Sequence, residues 1–178
     1  MKKSKSNQYI DAGVNIDRGN ELVKRIKKNV SSTHIKGSMK NFGLFGGFFD
    51  ISNLGYKQPI LISSADGVGT KLQVAKDLKK YDSIGIDLVA MCMNDVLVHG
   101  AKPIFFLDYI ALEKLNISNV QKIINGICLG CKQARCSLLG GETAEMPGLY
   151  KKNDFDLAGF GVGIVEKKKY NHWKKDKV

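Results

Sequence analysis

The stretch SIGIDLVAMCMNDVLVHGAKPIFFLDYIAL, Ser83–Leu112, decides the fold class. Its first part is apolar at helical spacing and runs to Gly100, a residue that ends helices. Its second part, KPIFFLDYIAL (102–112), is rich in Phe, Ile and Tyr and reads as a buried strand. A helix feeding directly into such a strand predicts an α/β arrangement, and the flanking sequence extends it. Downstream, ISNVQKIINGICLGCKQA (117–134) predicts a helix with Ser118 as its cap. CSLLGGETA (136–144) predicts a strand running into paired glycines, and DLAGFGVGIVE (156–166) a glycine-dotted strand. Upstream, PILISSA (59–65) predicts a short buried strand and GTKLQVAKDLKK (69–80) a short helix. NIDRGNELVKRIKKNV (15–30) predicts an amphipathic helix capped by Asn15 or Asp17. Between these lies a glycine-rich connection, KGSMKNFGLFGGFFD (36–50). The expected class is α/β (α+β), a mixed sheet with flanking helices and no internal repeat.

A chain of 178 residues is long enough for one domain with a proper core. The formal net charge of +11 suggests nucleic acid until it is located. Residues 1–40 carry +7, residues 151–178 carry +4, and the stretch between is neutral. The excess is almost all lysine, with Arg18, Arg25 and Arg135 as the arginines. Readers of phosphate and base edges favour the arginine fork, so a solvated lysine-rich surface is the expectation and nucleic acid is not an expected partner. No segment has the length and apolarity to span a bilayer, and basic MKKSKSNQYID has no apolar run behind it. Membrane is not an expected partner either, and the expected compartment is the cytoplasm. Cys128 and Cys131 invite a zinc reading, but a structural zinc needs four ligands and no second pair follows. They are expected to be core thiols, with Cys92 and Cys136.

The acids carry the chemistry. SSADGVGTKLQVAKD (63–77) looks like a phosphate loop but is not a Walker sequence, because Thr70 precedes Lys71. Gly67 and Gly69 allow phosphates to approach the backbone, Lys71 supplies a positive charge, and Asp66 offers an oxygen to Mg²⁺. Asn94 and Asp95 interrupt an apolar helix, Asp108 interrupts an apolar strand, and Glu142 and Glu145 follow a glycine pair in GGETAEMPG (140–148). Scattered oxygen donors without a histidine or cysteine cluster suit Mg²⁺ better than zinc or iron. The residues thus predict an Mg-nucleotide site on an α/β domain, with no substrate specified.

Taken together, YIDAGVNIDRGNELVKRIK, SADGVGTKL, IGIDLVAMCMNDVLVHGAKPIFFLDYIA, GCKQA, LLGGETAEMPG and DLAGFGVGIVEK closely resemble the aminoimidazole ribonucleotide synthetase family, the phosphoribosylformylglycinamidine cyclo-ligases. The resemblance runs in order from Tyr9 to about Lys167. It implies ATP-dependent ring closure of formylglycinamidine ribonucleotide to aminoimidazole ribonucleotide, with release of ADP and phosphate, in de novo purine biosynthesis. ATP and Mg²⁺ are the implied cofactors. By this resemblance Asp66, Lys71 and Asp95 are catalytic, and Asp66 and Asp95 hold the metal. Gly43, Gly46, Gly47, Gly67, Gly69, Thr70, Lys71 and Asn94 hold the nucleotide, although FGLFGGFF departs from the family's usual GGFGG form. Gly140, Gly141, Glu142 and Thr143 contact substrate.

The resemblance also implies a homodimer whose two N-terminal sheets join into a barrel, and a cleft completed by a C-terminal domain. Residues 1–166 are then the N-terminal ATP-binding and dimerisation domain. KKKYNHWKKDKV (167–178) is expected to open a linker to a C-terminal domain absent from this chain. The alternative is a truncated, non-catalytic dimerising or nucleotide-binding domain. Selenophosphate synthetase, a relative by fold, is disfavoured because no cysteine precedes Cys92.

Overall fold

The computed structural model describes residues 15–39 and 46–170. In chain order the elements are α1 (Ile16–Ser31), β1 (Pro59–Gly67), α2 (Lys71–Asp77), α3 (Ile84–Val98), β2 (Lys102–Leu112), α4 (Ile117–Ala134), β3 (Ser137–Glu145) and β4 (Phe155–Glu166). The expected class holds: a mixed sheet flanked by helices. The strand order is β1-β4-β2-β3, antiparallel at β1/β4 and β4/β2 and parallel at β2/β3. The parallel pair is joined through α4, as a parallel connection requires.

Local chemistry sets the helix starts. Asn15 caps α1, its side chain accepting the Arg18 backbone N–H at 3.1 Å. Leu22, Ile26 and Val30, four residues apart, form the buried stripe of α1. The cap of α4 is Asn116 and not Ser118. Asn116 has extended backbone (φ −101°, ψ 101°), and its side chain accepts the Asn119 N–H at 3.1 Å. Ser118 already lies inside the first turn, where its backbone is helical.

The helices share one face of the sheet. Phe106, Ile110, Leu157 and Val165 point toward them and are buried with Leu88, Cys92, Met93 and Val96 of α3. On β4 the residues that face α3 include Gly161 and Gly163. A Cβ on Gly161 would stand 3.3 Å from the Met93 side chain, so the bare backbone lets α3 lie close to the strand. Gly85 and Gly126 do the same between α3 and α4, where a Cβ on Gly126 would stand 2.6 Å from the Asp82 carbonyl oxygen.

The opposite face is apolar and partly open. Leu61 is 54% exposed and Phe160 46% exposed. Register places Ala65, Phe160 and Leu107 in one row on this face. Phe49 covers Phe105, with ring centroids 5.7 Å apart.

Candidate functional site

The sequence-predicted residues separate into two groups on the sheet. The first lies around the end of β1. Asp66 accepts a hydrogen bond on Oδ1 from the Gly67 N–H at 2.7 Å. Asp95, on α3, accepts on Oδ2 from the Ser64 hydroxyl at 2.9 Å. Cys92 stands between the two acids: its thiol donates weakly to the Asp66 carbonyl oxygen at 3.9 Å. Burial first, and then the negative charges of Asp66 and Asp95, push this thiol up to about 11, so it is a neutral packing group and not a nucleophile. Asn94 and Asp95 are both exposed on α3.

The loop after Asp66 is built to expose backbone. Val68 is buried and its N–H donates to the Leu157 carbonyl at 3.2 Å, which pins the turn to β4. Gly69 has φ +67°, a conformation that favours glycine. Thr70 precedes α2 with its side chain making no cap hydrogen bond, and Lys71 opens the helix. The Lys71 ammonium lies 3.4 Å from Asp87 of α3, both side chains about half exposed. At such exposure this is a weak tether that a phosphate can displace.

Asp66 and Asp95 each have a second carboxylate oxygen that no hydrogen bond among the described residues engages. The donor set is all oxygen, which suits a hard cation such as Mg²⁺, an ion that takes one or two carboxylates and fills its shell with phosphate and water. Among the described residues no group of three or more His, Cys, Asp or Glu could hold a metal by itself. The acids therefore fit Mg²⁺ as one side of a shared site.

The second group surrounds a cavity of about 720 Å³ at the β3 edge, between that strand and α1. Gly140, Gly141, Glu142 and Thr143 all line it, as do Gly46 and Gly47. Gly43 lies outside the described residues. Gly47 packs on Leu139, where a Cβ would meet the Leu139 Cβ at 2.7 Å. Glu145, the second acid of the motif, is a latch: its carboxylate accepts the Asn15 N–H at 3.0 Å and the Leu115 N–H at 2.7 Å. It ties the start of α1 to the β2–α4 connection and so shapes the cavity mouth.

Register connects the two groups. Asp66 pairs with Gly159, Gly159 with Asp108, and Asp108 with Gly141, a row crossing all four strands. Asp66 and Asp108 are thus two strand spacings apart, about 10 Å, on the helix-covered face. The Phe106 ring and Cys92 fill the space over Gly159 between them. Asp108 lines the cavity and is 8% exposed. Burial, and to a smaller extent the nearby Glu142, pushes its carboxyl up to about 7. The sequence singled out Asp108 as misplaced in an apolar strand but did not connect it with GGETAEMPG. Only the parallel β2/β3 register makes that connection.

Cys128, Cys131 and Cys136 are buried free thiols. The Cys136 thiol beside Cys131 and burial both raise the Cys131 thiol, and burial pushes Cys128 up to about 12.

The family model for AIR synthase related protein, N-terminal domain, matches residues 53–165. Phosphoribosylformylglycinamidine cyclo-ligase of Lawsonia intracellularis is 54% identical over 169 residues, covering 95% of this chain and 48% of that protein. The protein of the same name from Desulfatibacillum aliphaticivorans is 56% identical over 163 residues, covering 92% and 47%. The chain thus spans about half the length of the curated relatives it matches. Among solved structures, thiamine-monophosphate kinase from Stenotrophomonas maltophilia has a TM-score of 0.66 at 16% identity, covering 82% of this chain and 43% of that one. The hydrogenase maturation protein HypE in complex with ATP has a TM-score of 0.62 at 15% identity, covering 86% and 42%. These distant likenesses concern the fold. With the family model matching well over half its length, the chain belongs to the AIR synthase related proteins as their N-terminal domain.

Proposed function

We propose that this chain supplies the nucleotide-binding half of an ATP-dependent cyclo-ligase of the cytoplasm, which closes the imidazole ring of formylglycinamidine ribonucleotide in purine biosynthesis. The observation that carries this reading is identity above one half to cyclo-ligases along nearly the whole chain. The products are aminoimidazole ribonucleotide, ADP and phosphate. Such a reaction activates a poorly leaving oxygen by phosphorylation and needs positioning and charge neutralisation more than a side-chain nucleophile.

In this reading Asp66 and Asp95, with Asn94 beside them, hold Mg²⁺, which would neutralise the charge of the ATP phosphates. The Gly67–Thr70 turn presents backbone to those phosphates, and Lys71 leaves Asp87 to meet them. Gly46 and Gly47 cover the nucleotide, as Gly43 would. Gly140, Gly141, Glu142 and Thr143 line the substrate cavity. A homodimer through the open sheet face, closing two sheets into a barrel, would bury Leu61 and Phe160, and a C-terminal domain would complete the cleft. A second reading, a dimerising or nucleotide-binding module without turnover, draws on the lack of a complete metal-binding group among the described residues.

The test is ADP release from Mg-ATP in the presence of formylglycinamidine ribonucleotide. The chain mixed with a cyclo-ligase C-terminal half should release ADP only when substrate is present, and Asp66→Asn should reduce the rate at least a hundredfold. No release from a folded mixture that binds ATP would favour the second reading, and substrate-independent release would overturn both.

A further inference from the structure

Asp108 is the only acidic side chain among the described residues that the fold takes so far from water. The other buried polar side chains, Thr33 and Ser137, are satisfied. Thr33 Oγ1 accepts the Leu138 N–H and Ser137 Oγ accepts the Ile35 N–H, each at 2.9 Å. Asp108 has no such partner. Among the described residues no other residue donates to its carboxylate and no lysine or arginine pairs with it, its own backbone N–H being the group that favours the charged form. A buried carboxylate without a charged partner is costly unless it takes up a proton, and in a cavity wall a cationic ligand can offset that cost in the proton's place.

The cavity gives the shape of that ligand. Gly141 pairs with Asp108 across the parallel ladder, and its Cα lies against the carboxylate, so that any side chain there would cover it. The remaining wall mixes Asn15, Asn20 and Thr143 with the apolar Leu22 and Ile26 of α1. A carboxylate reached through a glycine gap suits a planar cation presenting two parallel N–H groups, as guanidinium and amidinium ions do.

Resting on the function proposed above, whose substrate carries an amidine, we infer that Asp108 selects that amidine, its two carboxylate oxygens accepting the paired N–H donors of the amidinium. The corresponding amide replaces one donor with a carbonyl oxygen, which would face the carboxylate as a second acceptor. A charge-assisted pair of this kind discriminates by roughly 10–100-fold.

The experiment is calorimetric titration of this chain, mixed with a cyclo-ligase C-terminal half, with phosphoribosylformylglycinamidine and, separately, with the amide phosphoribosylformylglycinamide. Wild type should bind the amidine roughly 10–100-fold tighter. Asp108→Asn should lose that preference and keep its affinity for the amide. Equal affinities in wild type, or a preference that survives in Asp108→Asn, overturn the assignment while leaving the substrate reading intact. If neither ribonucleotide binds, it is the substrate reading that fails. The assignment is then decided by titrating wild type with acetamidinium chloride while following the Asp108 carboxyl ¹³C signal, with sodium chloride as control. A saturable shift given by acetamidinium and not by sodium supports it, and an unchanged signal overturns it.

Discussion

At the scale of the residue, Asp108 sets a pH dependence whose sign follows from its burial. Its carboxyl is pushed from 3.8 up to about 7 in the folded state, so between these values the folded chain holds a proton that the unfolded chain has released. Stability from this group is therefore highest below about pH 4, falls as pH rises toward 7, and is level above that. At about 1.4 kcal/mol per pKa unit, the fall is on the order of 4 kcal/mol. Asp108→Asn removes the titration. Urea unfolding at pH 5 and at pH 8 should show wild type losing more stability than the variant over that interval, and the variant the more stable of the two at pH 8. Parallel behaviour of the two proteins would mean that the carboxyl is hydrated. That Asp108 is unusual was legible in the sequence, because an acid inside FFLDYIAL has apolar neighbours on both sides. That it meets Gly141 was not, since nothing local in either strand encodes the bulge that shifts the β2/β3 register at Phe106/Leu107.

At the scale of the element, glycine spacing does most of the positioning, and two glycines of similar sequence context should respond in opposite ways. Gly126 lies in α4 where it crosses α3, and a Cβ there would press on the Asp82 carbonyl and on Gly85. Gly126→Ala should destabilise the protein by about 1–3 kcal/mol, because backbone cannot move aside as a flexible side chain can. Gly19 lies in α1, and a Cβ there would meet nothing within 4 Å. Gly19→Ala should stabilise by about 0.5–1 kcal/mol through helix propensity alone. Denaturant midpoints of the two variants check both signs together. Element existence was readable for the same reason: Gly100 and Pro59 punctuate the apolar runs, whereas β3 passes straight through the paired Gly140 and Gly141. The α4 cap was misread because Ser118 and Asn116 are both good caps, and the choice rests on backbone angles that composition does not specify. The candidate acids Asp66 and Asp95 were legible as types in a pattern, whereas the Lys71–Asp87 pair and the Glu145 latch depend on how α2, α3 and α1 approach one another.

At the scale of the whole molecule, the sheet has two unlike faces. One is closed by α3 and α4, and the other leaves Leu61 and Phe160 about half exposed beside Leu107 and Ala65. The surplus positive charge lies toward the chain ends, outside the neutral stretch 41–150 that contains β1, β2 and β3. Two copies could therefore bring their strands together without opposing large like charges. The proposed barrel dimer then makes a specific demand on Phe160, which projects from the strand next to the β1 edge. Phe160→Asp would place a carboxylate where the symmetric contact needs apolar surface, and the two-fold operation would double the effect by setting one aspartate near its copy. Phe160 is 46% exposed on the sheet face opposite α3, so the substitution should leave the monomer's far-ultraviolet circular dichroism unchanged. Light scattering at micromolar concentration should report about twice the 19.6 kDa chain mass for wild type and the single-chain mass for Phe160→Asp. A wild type that scatters as a monomer would remove the dimer from the proposal. It would leave Asp66, Asp95 and the β3 cavity to act within one subunit.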